Sequence, residues 1–218
     1  MTETAADKVT VKVWSDYVCP YCMLAEGPLH EATHDLDVAI EWMPFELRPH
    51  PAATLRPEDE YLPAIWKRSV YPMARRMGVD ITLPTVSPQP YTRLAFEGYQ
   101  YAAEHGKAAE YTPRMLRAFF QENRDIGRLD VLADVAADIG LDADGFTSAL
   151  TAGTYSETHQ EALRTAQAYR ISVAPTIVIG ERHRIEGVPG PAQIRKAVLD
   201  VQAEQAVTRG AACDIEGC

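Results

Sequence analysis

Apolar and polar residues alternate from Thr10 to Asp16 (T-V-K-V-W-S-D), the period-two pattern of a half-buried strand. Just beyond it, Pro20 suits a first helical position, where its missing N–H costs nothing, and Tyr21 to about His34 reads as a helix. Val38 to Glu46 reads as a second strand. Pro44 places that strand at a sheet edge or a bulge, because proline cannot donate to a ladder. The period then changes. From Pro57 to about Arg170 the pattern is mainly helical, as in Met115, Leu116, Phe119 and Phe120, and again in Leu129, Leu132, Val135, Ala136 and Ile139. Thr54 to Pro57 and Thr82 to Pro90, rich in proline and small polar residues, read as loops. Gly140 suits a helix stop, and Asp142 and Asp144 suit the cap of the helix that follows.

Strand signals return after Ile171. Thr176 to Ile179 is short, branched and apolar, Gly180-Glu181 is a turn candidate, and His183 to Glu186 fits a partner strand. Gly187 to Gly190 forms a second turn. Pro191 then opens a last helix to about Arg209, with Ile194, Val198 and Val201 on one face. Residues 210–218 show no periodicity and are expected to form a flexible tail. The fold class is α/β: residues 9–55 with 171–209 form a sheet-containing domain, and residues 56–170 form an all-helical insertion domain.

Composition narrows the partners. The 218 residues carry 31 acidic and 21 basic side chains, a formal net charge of -10, which disfavours nucleic acid and anionic membranes as partners. No run of lysines and arginines reverses that, and no apolar stretch approaches a membrane span. Met1 to Lys8 is polar and acidic, without the basic end and apolar run of a secretory signal, so a cytoplasmic protein is expected.

The four cysteines fall in two close pairs. Cys19 and Cys22 make a C-x-x-C at the junction of the first strand and helix, and Cys213 and Cys218 stand at the extreme end. A thiolate is the reactive form of cysteine, and a helix N-terminus stabilises it through unsatisfied N–H groups and the helix dipole. Cys19 would occupy that place, with Pro20 and Tyr21 beside it. Cys22, one turn on, could resolve a mixed disulfide formed there. A zinc half-site or two inert buried thiols are the alternatives for this spacing alone. Val173-Ala174-Pro175-Thr176 leads into the Thr176 strand. If the bond before Pro175 is cis, Ala174 presents its N–H and carbonyl to Cys19 as an edge for an extended substrate chain. If it is trans, Pro175 merely opens an edge strand.

V-W-S-D-Y-V-C-P-Y-C, F-E-L-R-P at Phe45 to Pro49, L-R-A-F-F-Q-E-N-R-D-I-G at Leu116 to Gly127, and V-A-P-T-I-V-I-G with I-E-G-V-P-G resemble, in this order, the DsbA-like family, and within it the FrnE-type branch. The resemblance runs from about Val9 to Gln205. It implies a thioredoxin-like fold interrupted by a helical domain, with Cys19 as nucleophile, Cys22 as resolving cysteine and a cis Pro175. It also implies that the Cys19–Cys22 disulfide is the redox group, with no other cofactor and no metal. Protein or small thiol and disulfide substrates, glutathione among them, are the implied partners. Ala174 stands where such families often carry Val or Thr, and Tyr21 stands where this branch commonly has tryptophan. Hydroxychromene carboxylate isomerases and kappa-class glutathione transferases share the architecture, but typically carry serine at the nucleophile position.

Three functions therefore compete: a disulfide oxidoreductase or isomerase on protein thiols, a glutathione-linked isomerase or transferase, and a chaperone or metal-binding module. The tail cysteines read as an inert pair, as a second redox pair exchanging with the first, or as half of a sulfur-ligated metal site. Glu46 and Asp16 are candidates for proton transfer near the thiols, Glu46 towards Cys22. His159 and His183 are expected to be solvated, Trp42, Met43 and Phe45 to be core, and Arg56 to Glu60 to be a solvated face.

Overall fold

The structure, a computed structural model, describes residues 8–215; from residue 208 onward it describes the course of the backbone only. Four strands form one sheet in the order β2-β1-β3-β4. β1 (Val9–Ser15) pairs in parallel with β2 (Val38–Pro44), with Val11 opposite Ile40 and Ser15 opposite Pro44. β3 (Thr176–Ile179) runs antiparallel to β1, and β4 (His183–Glu186) antiparallel to β3. Pro44 thus sits at the end of an edge strand, where a missing donor is tolerated. The tight turn between β3 and β4 uses left-handed backbone at both Gly180 and Glu181.

α1 (Pro20–Thr33) crosses from β1 to β2, and α9 (Pro191–Ile215) closes the chain. A bidentate pair of Arg195 with Asp35, at 2.6 and 2.9 Å, ties α9 to the end of α1. α9 runs on to Ile215 instead of ending near Arg209. Ala-rich sequence on both sides of Gly210 keeps the backbone helical through that residue, so the backbone of Cys213 lies in a helix and not in an aperiodic tail. Cys218 and the side chain of Cys213 lie outside the described residues.

Between β2 and β3 lie α2 (Tyr61–Ile65), a π-helical turn at Trp66–Val70, and α3 (Tyr71–Met77). They are followed by α4 (Arg93–Glu104), α5 (Ala108–Phe120), α6 (Leu129–Asp138), α7 (Ala143–Thr151) and α8 (Ser156–Ala168). Gly140 adopts a left-handed conformation after α6, and Asp142 caps α7 by accepting from the N–H groups of Asp144 and Gly145.

β1 has two buried faces. Val9, Val11 and Val13 join a core that continues through Tyr17 and Phe96 to Met115, Leu116 and Phe119 of the helical block. Trp14 points the other way, into a smaller cluster with Ala166, Ile171 and Val178 that Met43, Phe45 and Tyr169 flank. The same hydrophobic core therefore serves both the sheet and the helices packed above its carboxyl end.

Gly98 marks the closest helix approach. A Cβ there would meet the hydroxyl of Tyr111 and stand 2.6 Å from Cζ of Phe146, so α4 packs against α5 and α7 only without a side chain at this position. Gly98→Ala is expected to destabilise the protein by about 1–3 kcal/mol, the usual cost of overpacking. Denaturant unfolding would check this, and an unchanged midpoint would show that the three helices can separate freely.

Candidate active site

The two cysteines of the C-x-x-C stand where β1 ends. Cys19 is the N-cap of α1 and Pro20 its first residue, an arrangement that the missing N–H of proline favours. The backbone N–H of Cys19 donates to the carbonyl of Asp16, and that of Cys22 to the carbonyl of Cys19, both at 3.0 Å. One turn of chain thereby brings both sulfurs together. Cys19 and Cys22 are free thiols, 4% and 1% exposed. Burial pushes the Cys22 thiol well above its ordinary range, and its hydrogen bond and charge interaction with Cys19 push it further. The Ser15 hydroxyl and the Asp16 N–H pull weakly the other way. Cys22 is thus the thiol of the pair that burial keeps from ionising.

Ala174 faces the pair from the other side of the sheet end. Its carbonyl lies 3.5 Å from the sulfur of Cys19, and the bond that follows, Ala174–Pro175, is cis. Cys19, Cys22 and Ala174 form one buried apolar cluster against Tyr21 and Phe45. Tyr21 turns its hydroxyl to Ser69 at 2.7 Å, so the residue between the cysteines anchors α1 to the helical block. Phe45 packs against both this cluster and that of Trp14, a position its sequence neighbourhood did not distinguish from Trp42 and Met43.

A cavity of about 360 Å³ opens over Cys19. One wall is Pro20, Tyr21, Val173 and Ala174, and Leu62, Ile65 and Trp66 of the helical block form the other. Asp16 and Arg48 are its one acid and one base, and Gln89 is its buried amide. Spacing could not have marked Arg48 or Gln89, since only the fold brings residues 48 and 89 to Cys19.

Asp16 is fully buried, and burial raises its carboxyl from 3.8 to about 6. Hydrogen bonds from the N–H of Leu47 at 2.7 Å, from Thr92, and from the N–H of Val18 oppose that shift, while the negative charge of Glu46 adds to it. Among the described residues no hydrogen bond joins Glu46 to Cys22. Its carboxylate meets Nε2 of His159 at 2.6 Å, inside the protein. His159 is wholly buried, contrary to the solvated position expected for it, because α8 carries it under β2 and the ring of Phe96 stacks on it. His183 remains half-buried on β4, and Arg56 to Glu60 are largely exposed. Among the described residues no group of three or more His, Cys, Asp or Glu is arranged to hold a metal ion, and no helix is long and apolar enough to cross a membrane.

Residues 10–199 match the DSBA-like thioredoxin domain. The chain is 44% identical over 199 residues to the uncharacterized protein YwbO of Bacillus subtilis, covering 90% of this chain and 99% of that one. Its fold is similar to that of a probable DsbA oxidoreductase from Streptomyces coelicolor, with a TM-score of 0.74 at 19% identity over 90% of this chain and 91% of the other. It is also similar to the cytosolic disulfide reductase DsbM from Pseudomonas aeruginosa with GSH, with a TM-score of 0.65 at 18% identity over 91% and 98% of the two chains.

An acid that ionises less readily in the folded chain than in the unfolded one stabilises the fold while protonated. For Asp16 that contribution is complete below pH 3.8 and is lost as pH rises through about 6. Asp16→Asn removes the buried charge and is expected to stabilise the protein above pH 7 by up to about 3 kcal/mol, two pH units at the usual conversion, with little gain near pH 4. Unfolding measured across this range checks it. A gain as large at pH 4 as at pH 8 would mean the charge is not strained.

Proposed function

Because the chain belongs to the DsbA-like thioredoxin family, we propose that it is a thiol–disulfide oxidoreductase or isomerase acting on protein thiols, with Cys19 as nucleophile and Cys22 as resolving cysteine. The observation that carries this reading is the arrangement of the sulfurs. Cys22 is a buried thiol one turn behind Cys19 whose ionisation burial opposes, and Cys19 alone of the two lines the cavity. The run of motifs from Val9 to Gln205 supports a place in the FrnE-type branch, and the cytosolic DsbM neighbour supports a cytoplasmic one.

The thiolate of Cys19 attacks one sulfur of a substrate disulfide. The substrate S–S bond breaks, its far sulfur leaves as a thiolate, and a mixed disulfide forms on Cys19. Cys22 then loses its proton and attacks the sulfur of Cys19, releasing the second substrate thiol. The substrate gains two electrons and the enzyme is left with a Cys19–Cys22 disulfide; run backwards, the same steps oxidise a dithiol. Asp16, the acid beside the cavity, is the group suited to exchange protons with the solvent side of the reaction. The main chain at Val173–Ala174 offers an extended substrate segment an edge to lie along, 3.5 Å from the reacting sulfur.

Cys19→Ser is expected to reduce insulin turnover with dithiothreitol to the uncatalysed rate. Cys22→Ser is expected to accumulate a mixed disulfide on Cys19, visible by intact-mass measurement. Retained turnover in the first variant would overturn the assignment of the nucleophile.

A second reading rests on the cavity lining. The amide of Gln89 is 5% exposed and makes no side-chain hydrogen bond among the described residues, and Arg48 at the mouth has no ion-pair partner there. An amide and a cation left open beside the reacting sulfur suit a small thiol with amide and carboxylate groups, such as the GSH bound to DsbM. Arg48→Ala would then raise KM for glutathione disulfide several-fold and leave insulin turnover unchanged. Equal effects on both substrates would remove this reading.

A further inference from the structure

We propose that the buried Glu46–His159 pair is a positioning device for the redox centre, by which the helical block sets the placement and charge environment of the Asp16–Cys22 segment. It rests on the redox reading above, but it concerns residues that touch neither thiol.

The geometry converges on His159 from two sides. Glu46 receives the Nε2 hydrogen bond of His159 at 2.6 Å, with the two side chains 7% and 0% exposed. The residues on either side of Glu46 both reach the redox centre. Phe45 packs against the cluster of Cys19, Cys22 and Ala174, and its N–H donates to the carbonyl of Ser15 at 2.9 Å. The N–H of Leu47 donates to the carboxylate of Asp16 at 2.7 Å. On its other side, the ring of His159 stacks on Phe96 at 5.9 Å, and Phe96 stacks on Tyr17 at 4.5 Å. The hydroxyl of Tyr17 is in turn hydrogen-bonded to Thr112 of α5. Asp16 and Tyr17, the two residues that begin the turn into Cys19, are thus each held by a chain of contacts that starts at the same imidazole.

The hydrogen-bond inventory places the ring hydrogen. Nδ1 of His159 is buried with no partner. An unpaired acceptor nitrogen is tolerable there, whereas a protonated Nδ1 would bury an unsatisfied donor on a cation. The arrangement therefore fits a ring hydrogen on Nε2, donating to the carboxylate of Glu46. That donor offsets part of a negative charge which would otherwise act in full on Asp16, the acid it already pushes upward.

Other charged groups face the two acids. Glu46 shares a second cavity with Arg93 of α4 and with His50, Asp125 and Arg128 from loops, and Arg93 is engaged by Glu97 at 2.7 Å. Asp16 faces Glu46, the phenol of Tyr17, the two thiols and, across the first cavity, Arg48. His159 is the group whose buried bond ends on Glu46, so it is the one whose loss changes the charge felt at Asp16 without opening the thiols.

The test uses the pH dependence of Cys19 alkylation by iodoacetamide in the full chain, which reads the titration of Asp16 without requiring turnover. Wild type is expected to show an inflection near pH 6 that Asp16→Asn abolishes. Glu46→Gln keeps an acceptor for His159 and removes the charge, and is expected to move the inflection down by roughly half a pH unit. His159→Phe keeps a ring against Phe96 and removes the donor, and is expected to move it up. Opposite shifts are the signature of the device, since simple loss of packing moves both variants the same way. Shifts of the same sign, an inflection that neither variant moves, or one that survives Asp16→Asn would overturn the proposal. Should His159→Phe not fold, Glu46→Gln decides alone: a downward shift supports the proposal and an unmoved inflection overturns it. Retained insulin turnover in Cys19→Ser would instead strike the redox reading, leaving these profiles to be judged separately.

Discussion

A carboxyl group taken out of water must be held by donors, and the donors that hold Asp16 come from the segments that build the redox centre. Leu47 N–H follows β2, Val18 N–H lies in the turn into α1, and Thr92 stands just before α4. Asp16 also turns its own carbonyl to the N–H of Cys19 and its own N–H to the sulfur of Cys22. One residue therefore binds the end of the sheet, the start of α1 and the helical block into a single frame. Burial still leaves its carboxyl hard to ionise, so the frame keeps a titratable group next to the thiols at some expense in stability.

The helical block is more than a lid on that frame. Its core is continuous with that of the sheet, through Tyr17, Phe96 and Tyr111. Leu62, Ile65 and Trp66 wall the cavity above Cys19, so Cys19 is reached through a recess lined by both parts of the chain. The apolar wall and the few polar groups, Arg48, Gln89 and Asp16, bring side chains from three different stretches of sequence to one recess.

The local features of this protein were legible in its sequence. The C-P-Y-C at a strand–helix junction placed Cys19 at an N-cap, because proline at the next position favours that geometry whatever surrounds it. Thr176–Ile179 and His183–Glu186 read correctly as strands, with left-handed residues at the turn between them, and Asp142 as a cap. Two expectations failed for lack of a local signal: residues past Arg209 show no apolar periodicity yet stay helical to Ile215, and nothing near His159 in sequence marks it as buried.

By itself, then, the sequence determined the local frame: the thiol pair, the turn that presents it, and the strands that carry it, all set by interactions within a few residues. Only the tertiary structure decided what surrounds that chemistry. Glu46 and His159 are 113 residues apart, and Tyr17 and Thr112 are 95 apart, so no spacing or periodicity announces their contact. Whether a titratable side chain is solvated or buried depends on what folds over it. For Asp16 and Cys22 that burial makes the charged form harder to reach, right beside Cys19, and for His159 it decides which partner its ring nitrogen meets.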